Sequence, residues 1–198
     1  MLADALNSSY DHLVRFIPWS RPAISGDEGE RRALDYRARF ARGWDYNLAI
    51  VTPDGARLLG NTDLRPESSW PPSGNALRSA EIGMWIRADT AYSGLGTHVL
   101  SSLLHWCFSA WPFERLLWKC DVANEASMRV AQKCWMRWVG VIENDHTDGS
   151  GNWCNSHCFQ ALRSEWLTGR RQPLCGGFRV AGRDAVKIAS GSPIHHTR

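Results

Sequence analysis

The sequence has no run of apolar residues that approaches the length needed to span a membrane. Its first residues, Met1-Leu2-Ala3-Asp4, lack the basic and then apolar order of a secretory signal. We therefore expect a cytoplasmic protein without membrane attachment. The net charge at pH 7 is only +3, and basic residues are mixed with acidic ones except in the C-terminal tail. This distribution argues against nucleic acid as a partner.

The cysteines lack the paired spacing of metal knuckles. There are six of them, and His146, Cys154, His157 and Cys158 are the nearest approach to a zinc-ligand set. If residues 152–163 form a strand, Cys154 and Cys158 share one face at a separation of roughly 13 Å, and His157 points to the other face. We therefore predict no metal site from these residues.

The length of 198 residues and the hydrophobic fraction of 43% allow one domain of ordinary size. We place this domain at residues 1–166. The remainder, residues 167–198, is rich in Gly, Ser and Arg, and we expect it to be a flexible basic tail.

Hydrophobic periodicity and turn residues predict alternating helices and strands. The first helix is expected from Leu2 to Phe16. The second is capped by Ser25 with Glu28 at capping-box spacing, and it ends at Gly43. A hairpin is predicted around the turn 52–55, followed by a polar loop at 65–78. Further strands are predicted at 80–87, 116–122, 139–142 and 152–162, with helices after residue 97 and at 125–134 and a loop at 146–151.

A glycine-containing turn lies between the apolar strand at 80–87 and the helix that follows it. Its sequence is Tyr92-Ser93-Gly94-Leu95-Gly96-Thr97. Gly94 and Gly96 allow the backbone to approach an anion closely, and the helix N-terminus adds unpaired N–H groups and a positive dipole end. The turn is therefore a candidate phosphate site, although the glycines could serve the geometry of the turn alone.

Several segments in this order resemble the GNAT family of acetyl-CoA-dependent N-acetyltransferases, and in particular its Rim-type branch, which acetylates N-terminal amines of ribosomal proteins. The segments that carry the resemblance are 80–86, 94–97, 124–133, 140–141 and 162–166. The resemblance implies an α/β (α+β) fold with a mixed, mostly antiparallel central sheet, helices on both faces and a splayed strand pair at the cofactor site.

The resemblance also assigns the cofactor, which would be acetyl-CoA acting as co-substrate. The backbone of the turn would hold its pyrophosphate, Asn124 would hold the pantetheine arm, and the end of the preceding strand would line the site. The residues implied are Trp85, Ile86, Tyr92, Ser93, Gly94, Leu95, Gly96, Thr97 and Asn124. Asn124 is also well placed to be a plain helix cap.

Acetyl transfer to an amine needs a proton donor for the departing sulfur and an acceptor for the amine proton. Ser127 falls where the Rim branch has its proposed donor, although a serine in a first helical turn often acts as a cap. Three residues are candidates for the base, namely His146 in the predicted loop, Glu81 and Asp63. An α-amine has a pKa near 8, so modest assistance would suffice at neutral pH.

The chain departs from the family pattern at several positions, including Cys134-Trp135-Met136 in place of small residues ending in Gly-Phe, and at its start. Ala91 and Tyr92 replace the usual Arg or Gln followed by Gly, and Asn155 stands where the branch has Asp. The family's first strand precedes the first helix, whereas this chain begins in that helix. We therefore expect one sheet edge to lack its usual strand, and that edge could be covered by the tail or by a second copy in a homodimer.

The resemblance implies a primary amine as acceptor, with a protein N-terminus as the first expectation. A small amine is the other possible acceptor, because the sequences of the first two helices and of the loop 65–78, where the acceptor would bind, do not indicate which acceptor is used. An acyl-CoA-binding protein with little or no catalysis is the alternative that the departures at Ala91 and Tyr92 suggest.

Overall fold

A computed structural model describes residues 1–67 and 78–168 of the chain. The strands are β1 (Tyr46–Val51), β2 (Leu58–Pro66), β3 (Ser79–Ile86), β4 (Arg115–Asp121), β5 (Arg137–Thr147) and β6 (Trp153–Leu162). The helices are α1 (Leu2–Asn7), α2 (Tyr10–Leu13), α3 (Gly26–Arg42), α4 (Leu95–Ala110), α5 (Glu125–Lys133) and α6 (Arg163–Leu167). Within these residues, no helix combines the length and the apolar character needed to cross a membrane.

The strands form one mixed sheet in the order β1-β2-β3-β4-β6-β5. Every neighbouring pair is antiparallel except β3 and β4, which are parallel. The β3–β4 ladder runs only from Ser79 opposite Arg115 to Ile82 opposite Trp118. Because β3 continues to Ile86 and β4 to Asp121, the two strands separate beyond that point. The predicted mostly antiparallel sheet with a splayed strand pair is confirmed.

Helices cover both faces of the sheet, and the alternation of side chains along β3 separates two apolar clusters. Ile82 belongs to the main core, together with the apolar stripe of α4 that includes Leu100 and Leu104. Trp85 points to the opposite face and joins a second cluster, which contains Leu6 of α1. The opening between β3 and β4 therefore lies between two packed layers that fix its position.

The predicted single helix from Leu2 to Phe16 is wrong, because the structure has the two short helices α1 and α2. The side chain of Asn7 accepts a hydrogen bond from the backbone N–H of Ile24 and donates one to its carbonyl, both at 2.8 Å. Ser9 Oγ accepts from the N–H of Ala88 at 3.1 Å. These polar side chains bond to distant backbone where a continuous helix would proceed.

The caps of α3 are as predicted. Ser25 Oγ accepts from the N–H of Glu28 at 3.2 Å, and Gly43 ends the helix in the left-handed conformation at φ 68°. The hairpin is confirmed, but β2 extends to Pro66, so the predicted loop at 65–78 begins later. The rest of that loop and the tail from residue 169 lie outside the described residues. Among the residues described, β1 pairs only with β2, so one side of β1 is an edge.

Candidate active site

The first turn of α4 presents backbone N–H groups at the end of β3. Gly94 is the N-cap residue, and the N–H groups of Leu95, Gly96 and Thr97 precede the first intrahelical bond, which His98 makes to the carbonyl of Gly94. All of α4 is described, and its first turn contains neither an acidic side chain nor a capping side-chain bond. No acidic side chain of this first turn therefore offsets the partial positive charge of the helix end.

The two glycines of the turn have different roles. Gly94 has φ 89°, a conformation that other residues rarely adopt. A Cβ added to Gly96 would meet Val130 Cγ2 at 3.6 Å, which is ordinary contact. Gly94 is therefore required by the backbone, whereas the space beside Gly96 would admit a Cβ.

Tyr92 stands where the resemblance described above would place a glycine, and its backbone has a conformation that glycine adopts easily. Its φ is 61° and its side chain is 84% exposed. The ring makes an edge contact with His12 of α2, with centroids 6.1 Å apart. Ser93 stabilises the same loop by donating from Oγ to the carbonyl of Thr90 at 2.7 Å. Tyr92 therefore has a backbone conformation that is uncommon for a tyrosine.

The end of β3 contributes backbone more than side chains to the opening. Trp85 is buried among apolar residues of α1 and α2, so its ring is core. The main-chain edge of residues 83–86 that faces β4 has no strand partner on that side within the described chain. Ile86 lies on the α4 side, within 3.8 Å of the position that a Cβ on Gly96 would take.

Ser127 lies across the opening, in the first turn of α5. Its backbone N–H donates to Asn124 Oδ1 at 3.1 Å, so Asn124 is the helix cap. Its Oγ accepts from Trp118 Nε1 at 3.1 Å. A hydroxyl that accepts one hydrogen bond can still donate one, and the Cys120 sulfur is a neighbour within reach of the Ser127 O–H. Burial raises the pKa of the neighbouring Cys120 thiol to about 11, although the Ser127 hydroxyl opposes this.

Glu81 is held between two cations on the opposite face of the sheet. Arg65 Nη2 donates to Glu81 Oε1 at 2.7 Å, and Lys119 Nζ lies 3.3 Å from Glu81 Oε2. Lys119 also contacts Asp145 Oδ1 at 3.4 Å. Burial lowers the pKa of Lys119, but the two carboxylates outweigh it and raise the pKa overall. The charge of Glu81 is therefore balanced by its neighbours.

Asp63 lies on the same face, over Gly83 of β3. Its Oδ1 accepts from the Gly83 N–H at 3.2 Å and lies 3.2 Å from Arg65 Nε. A Cβ on Gly83 would come within 2.7 Å of this oxygen, so the carboxylate occupies the space that a side chain would fill. Burial raises the pKa of Asp63, while Arg65 and the Gly83 N–H act in the opposite direction. A raised pKa is typical of a carboxylate that accepts protons in catalysis.

The prediction that His146 lies in a loop is wrong. The residue is in β5, directly opposite Cys154 of β6. The strand reaches Thr147 because its register shifts between Ile142 and His146, where Asn155 Oδ1 accepts from the Asn144 N–H at 2.9 Å. His146 Nε2 lies 3.3 Å from Asp121 Oδ2, and Nδ1 lies 3.3 Å from Ser156 Oγ. Both ring nitrogens therefore have partners.

The sequence-based candidates thus lie on two faces of the sheet, with Ser127 on the α5 side and Asp63 and Glu81 on the α3 side. Lys119, Asp121 and Trp118 were missed by sequence reasoning. The alternation along β4 could have placed Lys119 and Asp121 on one face. It could not have shown which strands lie beside β4.

Comparison with known proteins identifies the family. The sequence matches the acetyltransferase (GNAT) domain over residues 2–137. Comparison with curated proteins finds no match.

Solved structures show the same fold at low identity. The ribosomal-protein-S5-alanine acetyltransferase from Vibrio fischeri has a TM-score of 0.68 and 15% identity, over 83% of this chain and 87% of its own. An acetyltransferase from Salmonella typhimurium, which modifies the N-terminal serine of ribosomal protein L7/L12, has 0.65 and 15%, over 81% and 87%. The microcin C7 self-immunity acetyltransferase MccE, in complex with acetyl-CoA and AMP, has 0.69 and 15%, over 81% and 84%. With the family match over residues 2–137, the chain belongs to the GNAT acetyltransferase family and is an acyltransferase.

Proposed function

We propose that this protein transfers the acetyl group of acetyl-CoA to the α-amine of a protein N-terminus. The observation that carries the proposal is the first turn of α4, where N–H groups that precede the first intrahelical bond, with no acidic side chain in the same turn, adjoin the opening between β3 and β4. Such a helix end is suited to a pyrophosphate. The complex of MccE with acetyl-CoA and AMP supports the choice of donor.

The backbone of residues 92–97 would bind the pyrophosphate, and the unpaired edge of β3 at Met84 and Ile86 would hydrogen-bond the pantetheine arm, since the Trp85 carbonyl faces Gly60 of β2. Asn124 already accepts from Ser127, so it would contribute its remaining amide donors to that arm. The groups that would bind the cofactor are therefore uncharged: backbone groups and the Asn124 side-chain amide.

The chemistry is the attack of a neutral amine on the thioester carbon. The new C–N bond forms, the C–S bond breaks, and the departing sulfur receives the proton of the Ser127 hydroxyl, which recovers one from water. Of the three candidate bases, we favour Asp63, because burial raises its pKa. Glu81 is ion-paired with two cations, Arg65 and Lys119, whereas Asp63 is paired with Arg65, and His146 has both ring nitrogens engaged. The amine proton would pass to Asp63 and then to solvent.

The choice of acceptor is supported by the proteins of similar fold, two of which act on ribosomal proteins. MccE, whose complex contains AMP, supports a small-molecule amine as the second candidate. The face that carries Asp63 and Glu81 is the side from which the acceptor would approach, opposite Ser127.

The donor site is tested by placing a carboxylate in the first turn of α4. Thr97→Glu puts a negative charge beside the proposed pyrophosphate, and we expect acetyl-CoA to bind about 10- to 100-fold more weakly, a difference of about 1.4–2.8 kcal/mol. The same charge at a helix N-terminus stabilises the fold by about 0.3–1 kcal/mol, so weaker binding cannot be ascribed to unfolding.

Thr97→Gln is the matched control, because it has the size of Glu without the charge. Calorimetry should give near wild-type affinity for Thr97→Gln. Equal binding by the Glu and Gln variants would mean that the pyrophosphate does not lie at this turn.

A further inference from the structure

Three side chains with metal-ligating atoms meet on the α3 side of the sheet, where β4, β6 and β5 lie side by side. His146 is directly opposite Cys154 in the β5–β6 ladder, and Asp121 is opposite Ser156 in the β4–β6 ladder. Cys154 and Ser156 are two residues apart and share a face. The three ligand atoms of Asp121, His146 and Cys154 all lie within 4.8 Å of one another.

Their spacing is close to that of a tetrahedral zinc site. Bond lengths of about 2.0–2.3 Å place tetrahedral ligand atoms roughly 3.3–3.8 Å apart. Asp121 Oδ2 and His146 Nε2 are already at 3.3 Å, so only the Cys154 side chain needs to adjust. All three residues are partly exposed, which allows an ion to enter and leaves room for water as a fourth ligand.

Neighbouring groups hold two of these side chains in the orientation that a ligand needs. Ser156 Oγ lies 3.3 Å from His146 Nδ1, which leaves Nε2 for the metal. The N–H of Ala123 donates to Asp121 Oδ1 at 2.7 Å, which leaves Oδ2. Hydrogen bonds of this kind to the distal atom of a ligand are a regular feature of metal sites.

We propose that Asp121, His146 and Cys154 form a site for a borderline-soft divalent cation, with Zn²⁺ as the expected ion. The thiolate and imidazole favour zinc over magnesium or calcium. This set of ligands differs from the group of His and Cys residues considered in the sequence analysis, which included His157. That residue lies on the opposite face of the sheet, where its Nδ1 accepts from Trp138 Nε1 at 3.2 Å. Asp121 takes its place. The proposal is independent of acetyl transfer.

The test is titration of the metal-free protein with Co²⁺, which reports a thiolate ligand by a charge-transfer absorption band. Zn²⁺ should then displace the cobalt and bleach the band at one equivalent per chain. Cys154→Ser should abolish the band, and Asp121→Asn and His146→Gln should each weaken binding about tenfold or more. Thermal unfolding of each variant establishes that it is folded.

The matched controls are Cys158→Ser and His157→Gln, on the same strand, which should bind Co²⁺ as the wild type does. X-ray absorption of the wild-type zinc complex, which needs no variant, should give one sulfur and otherwise nitrogen or oxygen ligands. No band in the wild type, no sulfur around the zinc, or a band removed by Cys158→Ser and kept by Cys154→Ser would each overturn the assignment.

Discussion

The position of Asp63 over Gly83 gives a prediction that separates catalysis from folding. In Gly83→Ala, the new Cβ would lie 2.7 Å from Asp63 Oδ1, where ordinary contact begins at 3.4 Å. The carboxylate must therefore move by about 0.7 Å, and its hydrogen bond from the Gly83 N–H is weakened. Such a bond to a charged group contributes about 1.5–3 kcal/mol, and replacing a strand glycine returns about 0.5–1 kcal/mol. We expect a net loss of about 1–2 kcal/mol in the free energy of unfolding.

The catalytic effect should be larger, because misplacing a catalytic group by about 1 Å can reduce the rate about 100-fold. We expect kcat/KM for acetyl transfer to fall about 10- to 100-fold in Gly83→Ala. The matched control is Gly140→Ala in β5, where an added Cβ meets nothing within 4 Å. It should keep nearly full activity.

A double-mutant cycle measured by steady-state kinetics decides whether the effect acts through Asp63. In an Asp63→Asn background the base is already lost, so Gly83→Ala should change kcat/KM by less than about threefold. An equal loss in both backgrounds, or full activity of the single Gly83→Ala variant, would refute the role given to Asp63.

Four further predictions rest on the described contacts. Ser127→Ala should lower kcat about 10- to 100-fold with unchanged acetyl-CoA affinity by calorimetry. Trp118→Phe removes the donor to Ser127 Oγ together with part of a buried ring; it should lower the free energy of unfolding but keep kcat in the folded protein. Equal losses of kcat in the two variants would contradict a proton donor. The pH profile of kcat/KM should have a lower limb at a pKa above the usual value of an aspartate, because burial raises the pKa of Asp63; the limb should disappear in Asp63→Asn. Because the pKa of Asp63 is raised, the protonated carboxyl stabilises the fold at low pH, and this stabilisation is lost as the pH rises through that pKa. Asp63→Asn should therefore unfold at a temperature equal to or higher than that of the wild type at pH 7. A clearly lower unfolding temperature would contradict the raised pKa. Arg163→Ala should lower the free energy of unfolding by about 2–4 kcal/mol in urea, because the guanidinium donates to the carbonyls of Phe108, Trp111 and Phe113; a change below about 0.5 kcal/mol would contradict this.

The parts of the fold that the sequence predicted are those set by local signals. The cap at Ser25, the stop at Gly43 and the apolar stripe of α4 each depend on residues within a few positions. The break between α1 and α2 was not predictable in this way, because it depends on the bond between Asn7 and Ile24. The same holds for the strand position of His146, which follows from a shift in the β5–β6 register.

The part of the candidate site that lies in a turn was predictable from the sequence of that turn. The part that depends on the order of the strands was not. The turn at Gly94 is readable, because a positive φ before a helix favours glycine. The contact of Lys119 with Glu81 and Asp145 depends on β6 lying between β4 and β5. Nothing in the spacing of these residues along the chain indicates that arrangement. The same strand order brings Asp121 and Ser156 to the ring of His146, which is why Asp63 is preferred to His146 as the base.

The most direct test of the account is acetyl transfer itself. Purified protein is incubated with acetyl-CoA and either a peptide with a free N-terminus and no lysine, or the same peptide with its N-terminus blocked and one lysine added, and the products are measured by mass spectrometry. The account predicts one acetyl group on the first peptide and slow or no reaction with the second, with the reaction reduced in Asp63→Asn and Ser127→Ala. Acetyl-CoA binding without transfer to either peptide or to a panel of small amines would contradict it and favour an acyl-CoA-binding role.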